Sequence, residues 1–324
     1  MEYTTLGDTG LEVSRIGVGG ARFGRGDETK LGDDAATDLI DRAIDLGVNF
    51  FDTANAYAGG DSEEILGAAL AGYDRDFPVV ATKAYFEMDD SNPNASGLSR
   101  KAIEQELDNS LERLGMDTVD LYQIHRYDET TPIAETLGAL DDAVRRGKTR
   151  YIGASSMWAR RFADALHASD RLGLERFVSM QNHYNLVYRE EEREMLPLTQ
   201  KEGVGVIPWS PLARGFLARP REAVAATPRG EQFAESDRLA GYRAGGGDEI
   251  NDRVQELAAE YGVSMAQIAL AWLFDKDWVD APIVGMSSID HLEEAVEALD
   301  VDLSANDVDW LEEPYEPTPV LGHS

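Results

Sequence analysis

The pattern that decides the fold is clearest in the segment Ala36-Thr-Asp-Leu-Ile-Asp-Arg-Ala-Ile-Asp-Leu46, which is followed by Gly47 and then by Val48-Asn-Phe-Phe51. The first part has the apolar spacing of an amphipathic helix, Gly47 is a typical helix-ending residue, and the last part is a short apolar run typical of a buried strand. The segment Lys101–Leu114, which ends at Gly115, repeats the helical pattern before another apolar run. The chain is therefore predicted to alternate helices with buried strands.

Short apolar runs of this kind recur along the whole chain, with helical patterns between them. Eight strand–helix units favour a (β/α)8 TIM barrel over a doubly wound sheet, and they predict a single α/β domain over residues 1–324. The eight predicted strands are Ile16–Gly19, Val48–Phe51, Val79–Thr82, Val119–Ile124, Arg150–Gly153, Phe177–Met180, Val204–Pro208 and Pro282–Gly285.

Two further segments complete the predicted architecture. Tyr3–Leu6 and Leu11–Ser14 flank Gly7–Gly10, which predicts an N-terminal β-hairpin that closes the floor of the barrel. The stretch Leu212–Asp248 is rich in Gly, Arg and Ala and has weak periodicity. We expect it to form a long loop after the seventh strand, and a lid rather than a linker.

The composition excludes several classes of protein and site. The 324 residues are 43 % hydrophobic and 8 % aromatic, which suffices for a folded core. The absence of cysteine excludes disulfides, thiolate metal sites and cysteine nucleophiles, and we predict no metal site. No stretch approaches the about 18 consecutive apolar residues of a membrane span. The N-terminus lacks the pattern of a secretory signal, so we expect a cytoplasmic protein that does not enter the membrane.

The net charge of −31 argues against nucleic acid or anionic lipid as a partner. Only six of the 30 basic residues are lysines. Salt screens the self-repulsion of such a chain, since the Debye length falls to about 3 Å at 1 M. Our hypothesis is a cytosol of high ionic strength, as in a halophile; the alternative is an acidic protein from an ordinary cytosol. The sequence does not indicate an oligomeric state.

Candidate catalytic residues come from three neighbouring strand ends. In a TIM barrel the active site lies at the carboxyl ends of the strands. There the sequence has Asp52 after the second strand, Lys83 at the end of the third and His125 at the end of the fourth, with Tyr57 in the loop after Asp52. Taken singly, these could be a helix cap, a surface charge, a buried histidine and a rim aromatic. Their joint position favours a catalytic site.

The chemistry of these four side chains is coherent. A tyrosine titrates near ~10, and a lysine held nearby by a carboxylate can lower that value by about 1–3 units. We therefore expect Lys83, paired with Asp52, to lower the pKa of the Tyr57 phenol. A bound carbonyl oxygen could then take a proton from Tyr57 and a hydrogen bond from His125. The set contains neither a nucleophile nor a metal cage, so a hydride carrier is the natural source of electrons.

Sequence motifs at these positions resemble those of the aldo-keto reductases. The likeness extends from Leu6 to about Leu299. The sequence resembles in particular the aryl-alcohol-dehydrogenase-like branch of this family, through Ile124–Asp128, Thr131–Ile133 and Glu312–Tyr315. The motifs that carry the family resemblance are Phe51–Leu70, Ala81–Lys83, Asp120–Arg126, Ile152–Met157, Gln181–Asn185 and Pro208–Gly215.

The resemblance implies reversible NAD(P)H-dependent reduction of a small aldehyde or ketone. It also implies that Asp52, Tyr57, Lys83 and His125 are the catalytic tetrad. The potassium-channel β-subunits share this fold and tetrad while acting chiefly through a partner. A redox-sensing, nucleotide-binding subunit with little turnover is therefore the alternative function.

The resemblance further implies which residues bind NADP. Trp209 corresponds to the aromatic residue that stacks on the nicotinamide, and Ser155 and Gln181 to the pair that binds its carboxamide, with Ser156 where many relatives carry asparagine. Where many relatives have arginine for the 2′-phosphate this chain has Ser287, so use of NAD is also possible. The remaining expected cofactor contacts are Ser210, Leu212 and Arg214 near the pyrophosphate, and Gly285, Ser288 and His291 in a strand-to-helix segment suited to anions.

Residues on the rim loops could select the substrate, although ordinary loop packing explains them equally well. Arg126 would favour substrates that carry a carboxylate or a phosphate. The rim residues in question are Phe23, Tyr85, Phe86, Arg126, Tyr127 and Trp158.

If the hypothesis of high ionic strength is right, salt stabilises the folded chain because it screens the repulsion among surface carboxylates. We expect the melting temperature at about 2 M KCl to exceed that at about 0.1 M KCl, measured by circular dichroism. Equal or lower melting temperatures at high salt would contradict the hypothesis.

Overall fold

A sheet of eight parallel strands forms the centre of the fold in the computed structural model, which describes residues 1–27, 29–226, 231 and 236–323. It closes on itself because Trp209, just after the last strand but one, forms a parallel bridge with Ile283. The predicted (β/α)8 barrel is thus confirmed. In chain order the barrel strands are β3 (Gly17–Gly19), β4 (Phe50–Asp52), β5 (Val79–Ala84), β6 (Val119–Ile124), β7 (Thr149–Ser155), β8 (Phe177–Gln181), β9 (Gly205–Val206) and β10 (Ile283–Val284).

The predicted N-terminal hairpin is also present. Strands β1 (Tyr3–Thr5) and β2 (Glu12–Ser14) pair antiparallel. Leu6 and Val13 are fully buried and belong to the cluster of apolar side chains at the bottom of the barrel. The hairpin therefore closes the barrel at the end opposite the carboxyl ends of the strands.

Amphipathic helices form the outer layer, as their apolar faces require. Helix α3 (Arg100–Leu114) illustrates how the sequence sets their limits. The Ser99 side chain accepts a hydrogen bond from the Ala102 amide at its start, and Gly115 ends it with a φ of 63°. The helices are α1 (Asp33–Asp45), α2 (Asp61–Leu70), α3 (Arg100–Leu114), α4 (Ile133–Arg145), α5 (Ala159–Leu172), α6 (Met195–Glu202), α7 (Asp237–Tyr242), α8 (Asp248–Tyr261), α9 (Met265–Phe274), α10 (Ile289–Glu297) and α11 (Ala305–Glu312).

Alternation along the strands divides the side chains between two apolar clusters. In β5, Val79 and Ala81 belong to the cluster inside the barrel, whereas Val80 packs in the layer between the barrel and the helices. Successive side chains of a strand point to opposite faces. The same alternation directs Lys83 into the barrel, two residues beyond Ala81, and Thr82 outward.

The connection between β9 and β10 is long, as predicted. Its described part contains 3-10 turns at Ala213–Ala218 and Arg221–Ala226 before α7, whereas residues 227–230 and 232–235 lie outside the described residues. Within the described ranges no single helix is long and apolar enough to cross a membrane. One sharply bent pair, Arg238–Tyr261 with Met265–Phe274, reaches that length and composition only when taken together.

Helix α2 packs so closely on the end of α3 that there is no room for a side chain at position 67, which is glycine. A Cβ there would lie 2.2 Å from the Leu114 carbonyl oxygen and 2.7 Å from its Cα. Backbone atoms cannot turn aside as a flexible side chain can. The two helices would have to move apart to accommodate a methyl group at this position.

Overpacking of this kind costs about 1–3 kcal/mol, and the gain of alanine over glycine inside a helix offsets up to about 1 kcal/mol of it. We therefore expect Gly67→Ala to lower the free energy of unfolding by up to about 2 kcal/mol, measured by urea denaturation. Gly72→Ala is the matched control, since a Cβ at this exposed position meets no atom within 4 Å. A Gly67→Ala protein as stable as the control would disprove the close approach.

Candidate active site

The predicted strand-end residues meet inside the barrel around the Lys83 ammonium group. Its Nζ donates hydrogen bonds to Asp52 Oδ1 at 2.5 Å, to the Thr53 carbonyl oxygen at 2.8 Å and to the Tyr57 hydroxyl at 3.4 Å. The Lys83 side chain is 0 % exposed and that of Asp52 only 2 %. The ammonium is therefore fully paired and shielded from water.

Asp52 is held by two further side chains from the barrel interior. Gln123 Nε2 donates to Asp52 Oδ2 at 3.0 Å, and Gln181 Nε2 donates to the same oxygen at 2.8 Å. Both carboxylate oxygens thus have donors. The Gln181 amide nitrogen, which the resemblance assigned to the nicotinamide carboxamide, is bonded to Asp52 in this structure.

A strained turn brings Tyr57 over the end of β4. Ala58, Gly59 and Gly60 have φ values of 50°, 68° and 107°, and helix α2 begins at Asp61 directly after them. Positive φ values favour glycine, which explains the Gly59-Gly60 pair. The turn reverses the chain so that the phenol of Tyr57 reaches Lys83, whose Nζ lies 4.9 Å from the centre of the Tyr57 ring.

The prediction that Lys83 lowers the pKa of Tyr57 is wrong, because the net shift of this pKa is upward. Burial raises the pKa of the phenol above its ordinary value, and the opposing effect of Lys83 does not cancel this rise. The phenol is therefore protonated at neutral pH. Burial lowers the pKa of Lys83, but Asp52 and Tyr57 together raise it above its usual value, so the lysine stays charged.

His125 lies next to Tyr57 as a neutral imidazole. The two ring centres are 5.7 Å apart, and Phe86 packs edge-on against His125 at 4.8 Å. Burial, reinforced by the charges of Lys83 and Arg126, lowers the pKa of His125 well below its usual value. Its Nδ1 is buried and has no hydrogen-bond partner among the described residues.

One cavity of about 750 Å³ joins the carboxyl ends of the strands, where these residues lie, to most of the predicted cofactor residues. Asp52, Tyr57 and His125 line it, whereas Lys83, Ser156 and Ser288 do not. Of the six rim residues considered from the sequence, Arg126 lines it. The predicted cofactor residues that line the cavity are Ser155, Gln181, Trp209, Ser210, Leu212, Arg214, Gly285, Ser287 and His291.

Trp209 is held in place from one side by His183. The two rings are stacked 4.2 Å apart, and His183 stacks in turn on Tyr188 at 4.1 Å. Trp209 Nε1 donates to the Ser156 hydroxyl at 2.9 Å, which gives Ser156 a positioning role behind the cavity wall. Ser155 also bonds within the protein, to the Gln181 carbonyl oxygen at 2.7 Å.

The start of α10 forms another part of the cavity. Ser288 caps this helix by accepting a hydrogen bond from the His291 amide, so its hydroxyl serves the helix. Ser287 and His291 pair with each other, Oγ to Nδ1, at 3.0 Å. Arg22 lines the cavity beside Gly285, and its Nε is buried with no partner among the described residues.

These features fit a nicotinamide dinucleotide. A stacked indole suits a flat aromatic ring, while a guanidinium with an unsatisfied donor and a helix N-terminus suit phosphate groups. No motif in the sequence indicates a role for Arg22, because the burial of its unpartnered donor becomes apparent only in three dimensions. Gln123 could have been found, because it lies two residues before His125 and so shares the inner face of β6.

Comparisons with known proteins identify a family and relatives that match almost the whole chain. The family model described as the aldo/keto reductase family matches residues 15–316. The chain is 42 % identical to the versiconal hemiacetal acetate reductase of Aspergillus parasiticus, over 99 % of this chain and 98 % of that protein.

Two further relatives are similar over almost their whole lengths. An aldo-keto reductase of Fusarium vanettenii is 41 % identical over 100 % of this chain and 94 % of its own length. A putative aryl-alcohol dehydrogenase of Schizosaccharomyces pombe is 40 % identical over 99 % and 97 %. The members of the matched family are oxidoreductases that use nicotinamide cofactors. With a family match over most of its length, a (β/α)8 barrel and these relatives, the chain belongs to the aldo/keto reductase family.

Proposed function

We propose that this protein reduces aldehydes or ketones to alcohols with NADPH, reversibly, and that Tyr57 is the general acid. The observation that carries the proposal is the contact of the Tyr57 hydroxyl with the Lys83 ammonium, 3.4 Å away, beside the neutral imidazole of His125. Nothing in this arrangement can act as a strong nucleophile, but a proton donor and a hydrogen-bond donor converge on one position. That combination suits a carbonyl oxygen that becomes an alkoxide.

Each of the four side chains has a defined part in this chemistry. When bound, the nicotinamide supplies the hydride that reaches the carbonyl carbon. Tyr57, which is protonated at neutral pH, donates its proton to the carbonyl oxygen, and the Lys83 ammonium stabilises the phenolate that results. Asp52 keeps Lys83 charged and in place. His125 donates a hydrogen bond that orients the carbonyl oxygen.

The cofactor would lie along the cavity described above. Trp209 would contact the nicotinamide, and Ser210, Leu212 and Arg214 would hold the pyrophosphate. Our preference for NADP over NAD rests on Ser287, His291, the N-terminus of α10 and the buried donor of Arg22, which together can bind a 2′-phosphate. Because Ser287 stands where many relatives have arginine, the preference for NADP is incomplete, and we propose that NAD is also used, with lower affinity.

The proposal predicts turnover on a panel of aromatic and aliphatic aldehydes, assayed with NADPH and NADH separately. In Tyr57→Phe the proton donor is lost, so kcat is expected to fall by about 10²–10⁴-fold. The affinity for NADPH should persist, because the variant removes one hydroxyl and leaves the ring. Absorbance at the reduced-nicotinamide band measures the rate, and fluorescence titration measures the affinity.

Tyr261→Phe provides the control, since it removes the same atom from an exposed residue whose hydroxyl bonds to Asp307 instead. Wild-type turnover in Tyr57→Phe would refute the assignment of the general acid. A protein that reduces one equivalent of aldehyde and then releases oxidised cofactor only very slowly would support the redox-sensing alternative.

A second prediction concerns Trp209. Stacking of an aromatic side chain on a flat base is worth about 1–3 kcal/mol, so Trp209→Ala should weaken NADPH binding about fivefold or more. The NADPH affinity of Trp209→Phe, which keeps an aromatic ring, should lie between those of wild type and Trp209→Ala. Trp158→Ala is the control, because Trp158 is 52 % exposed. If NADPH binds Trp209→Ala as tightly as wild type in fluorescence or calorimetric titrations, Trp209 does not stack on the cofactor.

A further inference from the structure

Two arginines face the catalytic end of the cavity, and the first is Arg126. It directly follows His125, and its Nη1 donates to the His125 carbonyl oxygen at 2.6 Å. Its guanidinium carbon also lies 5.5 Å from the centre of the Phe86 ring, which packs against His125. These contacts hold the half-buried guanidinium beside the imidazole.

The second arginine, Arg238, reaches the same cavity from α7 in the long connection. Its guanidinium carbon lies 5.4 Å from the centre of the Trp209 ring. Burial lowers the pKa of Arg126, and the charge of Arg238 lowers it further. Both guanidinium groups line the cavity that Tyr57 and His125 also line, so their like charges repel each other there.

Among the described residues, neither Arg126 nor Arg238 forms an ion pair with a carboxylate. This is unexpected in a chain with 61 acidic and 30 basic residues. Arg25 and Arg253, by contrast, each pair with at least two carboxylates on the surface. Asp52, which lines the same cavity, is bonded to Lys83. Two neighbouring, partly buried cations destabilise the free protein, and an anion bound between them would relieve that repulsion.

The position of the pair indicates which molecule supplies the anion. Arg126 adjoins His125, and its charge acts on the Tyr57 phenol. Arg22 lies beside Gly285, close in the chain to the start of α10, and this part of the cavity suits a cofactor phosphate. An anion held by Arg126 and Arg238 would therefore belong to the molecule whose carbonyl meets Tyr57 and His125.

We propose that the preferred substrates are aldehydes or ketones that carry a carboxylate or a similar anionic group, and that Arg126 and Arg238 bind this group. The proposal rests on the reductase function proposed above and adds its substrate class. Guanidinium groups bind carboxylates through paired, charge-assisted hydrogen bonds. The pair thus selects the substrate by charge, while Tyr57 and His125 act on the carbonyl oxygen.

The test compares the rates of reduction of 4-carboxybenzaldehyde and of its methyl ester, methyl 4-formylbenzoate, with NADPH as the reductant and at one salt concentration. Both have the same aromatic aldehyde, and only the first carries a charge. We expect wild type to prefer the carboxylate about tenfold or more in kcat/KM, since charge-assisted hydrogen bonds are the stronger ones. Arg126→Gln and Arg238→Gln should each reduce that ratio, chiefly by raising KM for the carboxylate.

Arg160→Gln is the control, because Arg160 is exposed and pairs with Asp164 on α5; its ratio should equal that of wild type. Arg238→Gln keeps the test decisive even if Arg126→Gln disturbs His125. Equal use of the two aldehydes by wild type, or an unchanged ratio in both variants, would overturn the anion site and leave the reductase function intact. Reduction of neither aldehyde, nor of any in the panel, would instead contradict the reductase function.

A titration with NADPH separates the substrate from the cofactor as the source of the anion. Under the proposal, NADPH affinity in Arg126→Gln and Arg238→Gln stays within about threefold of wild type, a free-energy difference well under the about 1.4 kcal/mol of a tenfold change. Affinity for NADPH that falls about tenfold or more, together with an unchanged substrate ratio, would assign both arginines to the cofactor and overturn the proposal.

Discussion

The buried ion pair between Lys83 and Asp52 is the interaction on which the site depends. Taking two charges out of water costs several kcal/mol each, and removing one partner of such a pair typically costs about 3–5 kcal/mol. Here the cost is offset because every donor and acceptor is used. Lys83 donates to Asp52, to the Thr53 carbonyl oxygen and to Tyr57, while Asp52 accepts from Gln123 and Gln181 as well. The pair therefore needs strands β4, β5, β6 and β8 to be assembled at once.

The outer face of the same strand is anchored as firmly. Thr82, next to Lys83, donates to Glu63 of α2, a residue that is 0 % exposed. Arg113 of α3 donates to the other oxygen of Glu63 at 2.6 Å. Strand β5 is thereby tied to Asp52 on its inner face and to two helices on its outer face. Since α2 begins directly after the turn that carries Tyr57, these bonds also limit how far the phenol can move from Lys83.

Charge is distributed unevenly between the surface and the cavity. The chain carries an excess of carboxylates, yet five arginines line the cavity: Arg22, Arg126, Arg214, Arg219 and Arg238. An acidic protein would be expected to repel a cofactor that carries several phosphate charges. The arginines in the cavity oppose that repulsion, because the local field at the cavity governs the binding of an anion more than the net charge does. The sequence contains every one of these arginines, but their spacing along the chain carries no sign that they share one cavity.

The sequence by itself determined the barrel, the N-terminal hairpin and the convergence of Asp52, Tyr57, Lys83 and His125 at one end of the barrel. Those features follow from local rules: the apolar period of helices and strands, and the convergence of parallel strand ends at one face. The tertiary structure decided how each group behaves there. The pKa of Tyr57 rises because burial outweighs its lysine neighbour, and Trp209 lies against His183. Arg238 joins Arg126 only through the path of a long connection. Desolvation and contacts between distant segments depend on the assembled fold, and no local pattern encodes them.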